Sequence, residues 1–198
     1  MSSGASIVIM ATQQRRERER AQRETLIVNA AREMAEADGW PSVTVRKLAE
    51  RIEYSQPVLY SHFAGRGAIV DAVALQGIAE LTEVFKKARA AAEPGGEVAA
   101  VAQAYLDFAS ANPALFEAIF TLAEGLPFGA DAPEVLKAAF AELYAVFAPL
   151  AGDRDPDAFT EVGWAAIHGL AALGRDGRLR PDLLEKRLPI LLDLFTRP

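Results

Sequence analysis

Apolar side chains recur along this chain at helical spacing, and the alternation of a half-buried strand is almost absent. Leu26, Ile27, Ala30, Ala31 and Met34 form one stripe, and Val45, Leu48, Ala49 and Ile52 stand at i, i+3, i+4 and i+7 of another. Each pattern turns one face of a helix inward. Helix breakers separate the periodic runs at Gly39–Pro41, Pro94–Gly96, Asn112–Pro113, Gly125–Pro133, Gly152–Pro156 and Gly174–Pro181. The pattern predicts an all-α fold of about nine helices, a three-helix head on a larger helical body.

The head is the most sharply drawn part. A first helix over roughly Arg15 to Asp38 is stopped by Gly39, which suits a left-handed cap. Thr44 offers an N-cap for a second helix. That helix buries its apolar stripe and leaves Arg46, Lys47, Glu50 and Arg51 outward. After a turn at Glu53–Tyr54, Ser55 can cap a third, very short helix. Pro57 is tolerated there because first-turn N–H groups have no intrahelical partner. Val58, Leu59 and Phe63 anchor it, so Ser55, Gln56, Tyr60, Ser61 and His62 are the polar groups on offer. Two short helices around a tight turn, between Thr44 and Phe63, make a DNA-binding helix-turn-helix. The expected division is a disordered tail and basic arm over 1–20, a head over 21–67 and a body over 68–198.

The order of residues goes further than the pattern. RETLIVNAAREMAEADGW followed by VTVRKLAERIEYSQPVLYSHFAGRGAIVDAV, Arg23 to Val73, closely resembles the N-terminal region of the TetR family of transcriptional regulators. The Leu-Tyr-x-His-Phe run at Leu59 to Phe63 is its most telling part. The chain departs from the family at two places. Glu53 stands where the turn usually carries glycine, which implies a left-handed residue or an altered turn at a cost of about 1 kcal/mol. Arg66–Gly67 replaces the usual lysine and acid, keeping the cation and losing the carboxylate.

The resemblance implies that Thr44, Tyr60, His62 and Arg66 meet the DNA backbone, while Gln56, Pro57 and Ser55 lie near base edges. Glutamine can pair bidentately with adenine and proline can pack on a thymine methyl, but neither supplies the arginine–guanine contact. Arg46 and Lys47 are placed to reach a phosphate or a groove edge. His62 has a second reading, a helix-end histidine packed against Phe63. The arm from Arg15 to Arg23 either tracks the minor groove and phosphates or is an exposed helix laced with Arg–Glu pairs at i, i+4.

In the body, Phe159, Val162, Ala166, Leu170 and Leu173, then Leu184, Leu188, Leu191 and Phe195, run along the last two helices. The final helix carries Leu183, Ile190, Leu192 and Leu194 as well, more than one stripe. One face can therefore meet the core and another a second subunit, giving a homodimer. WAAIHGLAALGRDGRL, Trp164 to Leu179, with AYLDFASANPALFEAIF, is similar to the TetR subgroup with a Trp…His-Gly signature in its C-terminal domain. Gly163 and Gly169 would let helices approach closely. Tyr105, Phe108, Phe116, Phe120, Phe128, Phe140, Tyr144 and Phe147, with Trp164, either line an apolar effector pocket or form ordinary helical core. Tyr105, Tyr144, Asn112 and His168 are its candidate polar groups, and His168 may equally be hydrogen-bonded at the dimer seam.

Charge changes the picture in one respect. The net charge of −6 is unevenly spread: residues 12–70 carry ten Lys/Arg against eight Asp/Glu, and 71–198 carry eleven against nineteen. A mildly basic head on an acidic body would meet DNA with one end only. There is no cysteine, which removes disulfides, thiolate zinc sites and cysteine nucleophiles. No segment reaches the roughly 20 apolar residues of a membrane span, and the short run Ile7 to Ala11 lacks the flanks of a signal peptide. It reads as tail, with Met1 or Met10 as the start, in a cytoplasmic protein.

An enzyme is not expected. No GxSxG, P-loop, dinucleotide fingerprint, HExxH or Glu-x-x-His occurs, and no cofactor or metal is implied. The expectation is a repressor that binds a palindromic operator in double-stranded DNA as a homodimer. A small apolar effector releases it, with the hinge in the helix from about Arg66 to Ala90. The alternatives are a regulator switched by a partner protein and a constitutive binder.

Overall fold

The computed structural model describes residues 3–127 and 129–196, so Met1 and Phe128 lie outside the described residues. Among the described residues there are nine α-helices and no strand. The head is α1 (Ser3–Asp38), a 3₁₀ turn (Trp40–Ser42), α2 (Val45–Arg51) and α3 (Gln56–His62). The body follows with α4 (Arg66–Ala91), α5 (Glu97–Ala111), α6 (Pro113–Glu117), α7 (Glu134–Phe147), α8 (Pro156–Arg175) and α9 (Leu184–Thr196). A π-helical turn, Ala118–Leu122, continues α6.

α1 begins well before the expected Arg15, and the residues read as an unstructured tail are helical from Ser3. No proline or glycine interrupts residues 5–38. The charged run stabilises itself by i, i+4 pairs: Gln13 with Glu17, Arg15 with Glu19 and Arg20 with Glu24, each at 2.8 Å. Such exposed pairs contribute only about 0.2–0.5 kcal/mol each, enough to favour helix locally.

α4 is the central element and packs against α1, α5, α6, the π turn and α7. At 26 residues it is about 39 Å long and runs from head to body. One continuous core joins them. Ile27, Trp40, Leu48 and Leu59 are fully buried at the head end, and Phe85, Tyr105, Phe116, Phe147 and Ile167 in the body. Burying each such side chain contributes roughly 1.5–3 kcal/mol before conformational entropy is set against it.

Two glycines permit close helix approaches. A Cβ on Gly77 of α4 would lie 2.5 Å from Leu115 Cδ1, and one on Gly163 of α8 would lie 2.5 Å from Phe147 Cε1. The expected close approach is therefore present at Gly163. At Gly169 a Cβ would meet nothing within 4 Å.

Candidate functional site

The helix-turn-helix is built by caps. Thr44 is extended, and its hydroxyl accepts the Lys47 N–H at 3.2 Å, starting α2. α2 ends in a Schellman motif: the Tyr54 N–H donates to Ala49 O at 2.9 Å and the Glu53 N–H to Glu50 O at 3.3 Å. The motif demands a left-handed residue, and Glu53 supplies it at φ 57°, the one non-glycine positive φ among the described residues. The departure from glycine is thus absorbed as backbone strain, and the turn keeps its shape. Ser55 is the N-cap residue of α3, and its side chain makes no capping bond.

α3 buries Leu59 and leaves Gln56, Pro57, Tyr60 and Ser61 exposed, with Tyr60 55% accessible. Residues four apart share a helix face, so Gln56 and Tyr60, and Pro57 and Ser61, stand one above the other. Ser55, Thr44, Arg46 and Lys47 are also exposed, and Arg46 pairs loosely with Glu50 at 3.4 Å.

His62 and Arg66 are placed differently from the other expected backbone contacts. The His62 side chain is only 6% accessible, and its Nδ1 lies 3.2 Å from Glu24 Oε1 on α1. That hydrogen bond is the chief reason the Glu24 carboxyl is held below its ordinary range. Arg66 donates through Nε to Val43 O at 2.9 Å and through Nη2 to Trp40 O at 3.1 Å. Both side chains thus direct polar atoms into the head.

The body encloses a cavity of about 440 Å³, within the range of small-molecule sites. α4 contributes Ile78, Leu81 and Phe85; the π turn contributes Ile119 and Phe120; α7 contributes Leu136, Phe140 and Leu143. Of the expected pocket residues, Tyr105, Phe120, Phe140 and Trp164 are on the wall. Phe108 is buried core, Phe116 is buried and stacked on His168 at 5.4 Å, and Tyr144 is partly exposed, all three off the wall. His168 stands behind the wall with Nδ1 2.8 Å from the Tyr105 hydroxyl. Asn112 is not in the cavity: it bonds to Arg32 at 3.1 Å and to Phe108 O.

Burial raises the Tyr105 hydroxyl pKa, opposed in part by a hydrogen bond from the Trp164 indole. Burial, followed by the charge of Arg175, lowers that of His168. Both groups are neutral near pH 7. The two ionisable wall residues, Lys137 and Glu161, are exposed. Among the described residues no cluster of metal-ligating side chains occurs, and no helix is long and apolar enough to cross a membrane.

Two groups of residues were not singled out by sequence reasoning. The α4 wall residues carried no signal distinguishing them from core. Arg32, Glu36 and Trp40 join head to body, yet charged residues on a helix read as a solvated face. Arg32 holds Glu80 at 2.6 and 2.8 Å, and Glu36 accepts the N–H groups of Ala114 and Leu115 at 3.1 and 2.9 Å.

Known proteins match both parts of the chain. The pattern described as "Bacterial regulatory proteins, tetR family" matches residues 27–73, and that described as "Tetracyclin repressor-like, C-terminal domain" matches residues 98–193. The uncharacterized HTH-type transcriptional regulator YobS of Bacillus subtilis is 31% identical over 93 residues, 47% of this chain and about half of that protein, 49%. An uncharacterized HTH-type transcriptional regulator of Mycobacterium tuberculosis is 28% identical over 155 residues, 76% of this chain and 69% of that one. A solved structure of a protein of unknown function from Rhodococcus sp. RHA1 superposes with a TM-score of 0.71 at 27% identity, covering 88% of this chain and 93% of that one. With a capped helix-turn-helix at one end and both family patterns along its length, the chain belongs to the TetR family of transcriptional regulators.

Proposed function

We propose that this protein is a ligand-responsive repressor that binds a palindromic operator as a homodimer and is released by a small apolar effector. The observation that carries the reading is the exposed α3 face, Gln56, Pro57 and Tyr60, set on a buried Leu59 beside a capped α2. In this reading residues 21–67 form the head, preceded by an arm over 1–20, and 68–198 form the body. Thr44, Tyr60, Arg46 and Lys47 meet phosphates, while Ser55, Gln56 and Pro57 lie at base edges. His62 and Arg66 act by holding the head in shape. The protein works in the cytoplasm.

Dimerisation is supported by apolar residues with nothing to cover them in one chain: Val162 on α8, and Leu184, Ile190 and Leu194 on α9, all at least 59% accessible. A two-fold pair of heads about 34 Å apart would meet two half-sites one helical turn apart. The cavity supports an effector, which must bind the two states differently, by typically about 1–3 kcal/mol.

The test is to select duplex DNA from a random pool with the full chain. A two-fold symmetric site is expected, and recovery of none overturns the reading. Gln56→Ala should then change the preferred base at one position per half-site, while Tyr60→Phe weakens all sites alike.

A further inference from the structure

The wall of the body cavity holds a chain of neutral hydrogen bonds. Trp164 and His168 are four apart on α8, so both side chains fall on one face, and both reach Tyr105 on α5. The Trp164 indole N–H can only donate, and it donates to the Tyr105 oxygen. The Tyr105 proton is thereby turned to His168 Nδ1, 2.8 Å away, which leaves that imidazole in its Nε2–H form. Phe116 and Phe120 pack on the imidazole at ring-centroid distances of 5.4 and 4.7 Å and keep it in place.

Count the hydrogen-bonding capacity that remains. A phenol oxygen has one proton and two lone pairs. The proton goes to His168 and one lone pair to Trp164, so one lone pair is left on a residue that lines the cavity. Toward a ligand this wall is an acceptor, with its donors already engaged. Elsewhere the wall is built of aliphatic and aromatic side chains. Its two ionisable members, Lys137 and Glu161, are of opposite sign and exposed, and Lys137 is already 3.1 Å from Glu134. A charged group taken inside would lose its water without finding a counter-charge.

We propose that the cavity selects an uncharged, largely apolar molecule carrying one hydrogen-bond donor, an alcohol or phenol, and that Tyr105, set by Trp164 and His168, is the acceptor that reads it. The proposal rests on the effector reading above. The volume of about 440 Å³ accommodates roughly fifteen non-hydrogen atoms, taking water's ~30 Å³ as the share of each.

The experiment titrates the full chain calorimetrically with 4-phenylbutan-1-ol, its methyl ether, 4-phenylbutanoate and 4-phenylbutylammonium, and repeats the series with Tyr105→Phe. The alcohol should bind about tenfold tighter than the ether, the effect of one hydrogen bond, and tighter still than either ion. Tyr105→Phe should abolish the preference for alcohol over ether while changing the ether's affinity less than about threefold, which also shows that the variant is folded. Binding of either ion as tightly as the alcohol, a preference that survives in Tyr105→Phe, or no binding by any of the four overturns the proposal. Selected operator DNA separates this from the effector reading. Tight alcohol binding without DNA release upholds the ligand class and overturns the effector reading. Release by an ion but not by the alcohol overturns the ligand class and leaves the effector reading standing.

Discussion

The indole N–H of Trp40 donates to the main-chain carbonyl of Ala114 across 2.8 Å, buried from solvent. The bond crosses from the turn after α1 to the first turn of α6, from head to body. On one side, Glu36 satisfies the Ala114 and Leu115 N–H groups that a helix start leaves without partners. On the other, Arg66 holds the carbonyl of Trp40 itself. One residue is thus gripped through its side chain by the body and through its backbone by the start of α4. The head is fixed to the body by directional bonds as well as by shared core, and its orientation is set where they converge.

Trp40→Phe tests that junction. It keeps most of the apolar burial but leaves the Ala114 carbonyl without its donor in a closed environment. The expected loss is about 1–3 kcal/mol, the desolvation of one unsatisfied carbonyl plus a small cavity. Urea unfolding should show a lower midpoint with an unchanged slope. An unchanged midpoint would mean that the bond only accompanies the packing.

Glu53→Gly should stabilise the protein. A β-carbon at φ 57° crowds the backbone, and glycine removes that crowding at the cost of a more flexible unfolded chain. The net gain should be about 1 kcal/mol, a rise in melting temperature of roughly 2–4 °C for a chain of this size. Glu53→Ala is the control: it removes the charge, keeps the strain and should leave the melting temperature nearly unchanged. Equal effects of the two would place the origin in the carboxylate.

What the sequence revealed follows from the range of the forces involved. The caps at Thr44 and Ser55, the stop at Gly39 and the strain at Glu53 are local, and each could be read from a few neighbouring residues. The inward stripe of α2 was equally plain. The first helix was drawn too short because its i, i+4 pairs gave no apolar stripe, and their charges looked like a solvated arm. The roles of His62 and Arg66 depend on Glu24, Trp40 and Val43, distant in sequence, which no local pattern announces. The same holds for the cavity: whether Phe116 or Phe120 faces empty space is decided by where α5 and α8 pass, so a periodic aromatic reads as core in either case. The signature residues Trp164 and His168 were visible, but their common partner Tyr105 emerges only when α5 is laid against α8.

The last prediction concerns pH. The His168 pKa is lowered, first by burial and then by Arg175, so the folded ring resists a proton that the unfolded chain accepts. The unfolded state therefore binds more protons between the ring's folded value and its ordinary value of about 6.5. The stability this group supports is complete above that ordinary value and is lost as pH falls from there toward the folded value. His168→Gln retains an acceptor for the Tyr105 hydroxyl and cannot titrate. Urea midpoints of wild type and variant should thus converge, or cross, between pH 7.5 and pH 5, because only the wild type carries this loss. Contributions from His62 and the carboxylates are common to both proteins and cancel. His168→Phe provides the complementary arm: it leaves the buried hydroxyl without an acceptor, so it should be weaker by about 1–3 kcal/mol at pH 7.5. Parallel curves for wild type and His168→Gln would mean that the ring keeps its solution behaviour, and that Tyr105 is held by packing among Phe85, Phe116 and Phe120 rather than by the imidazole.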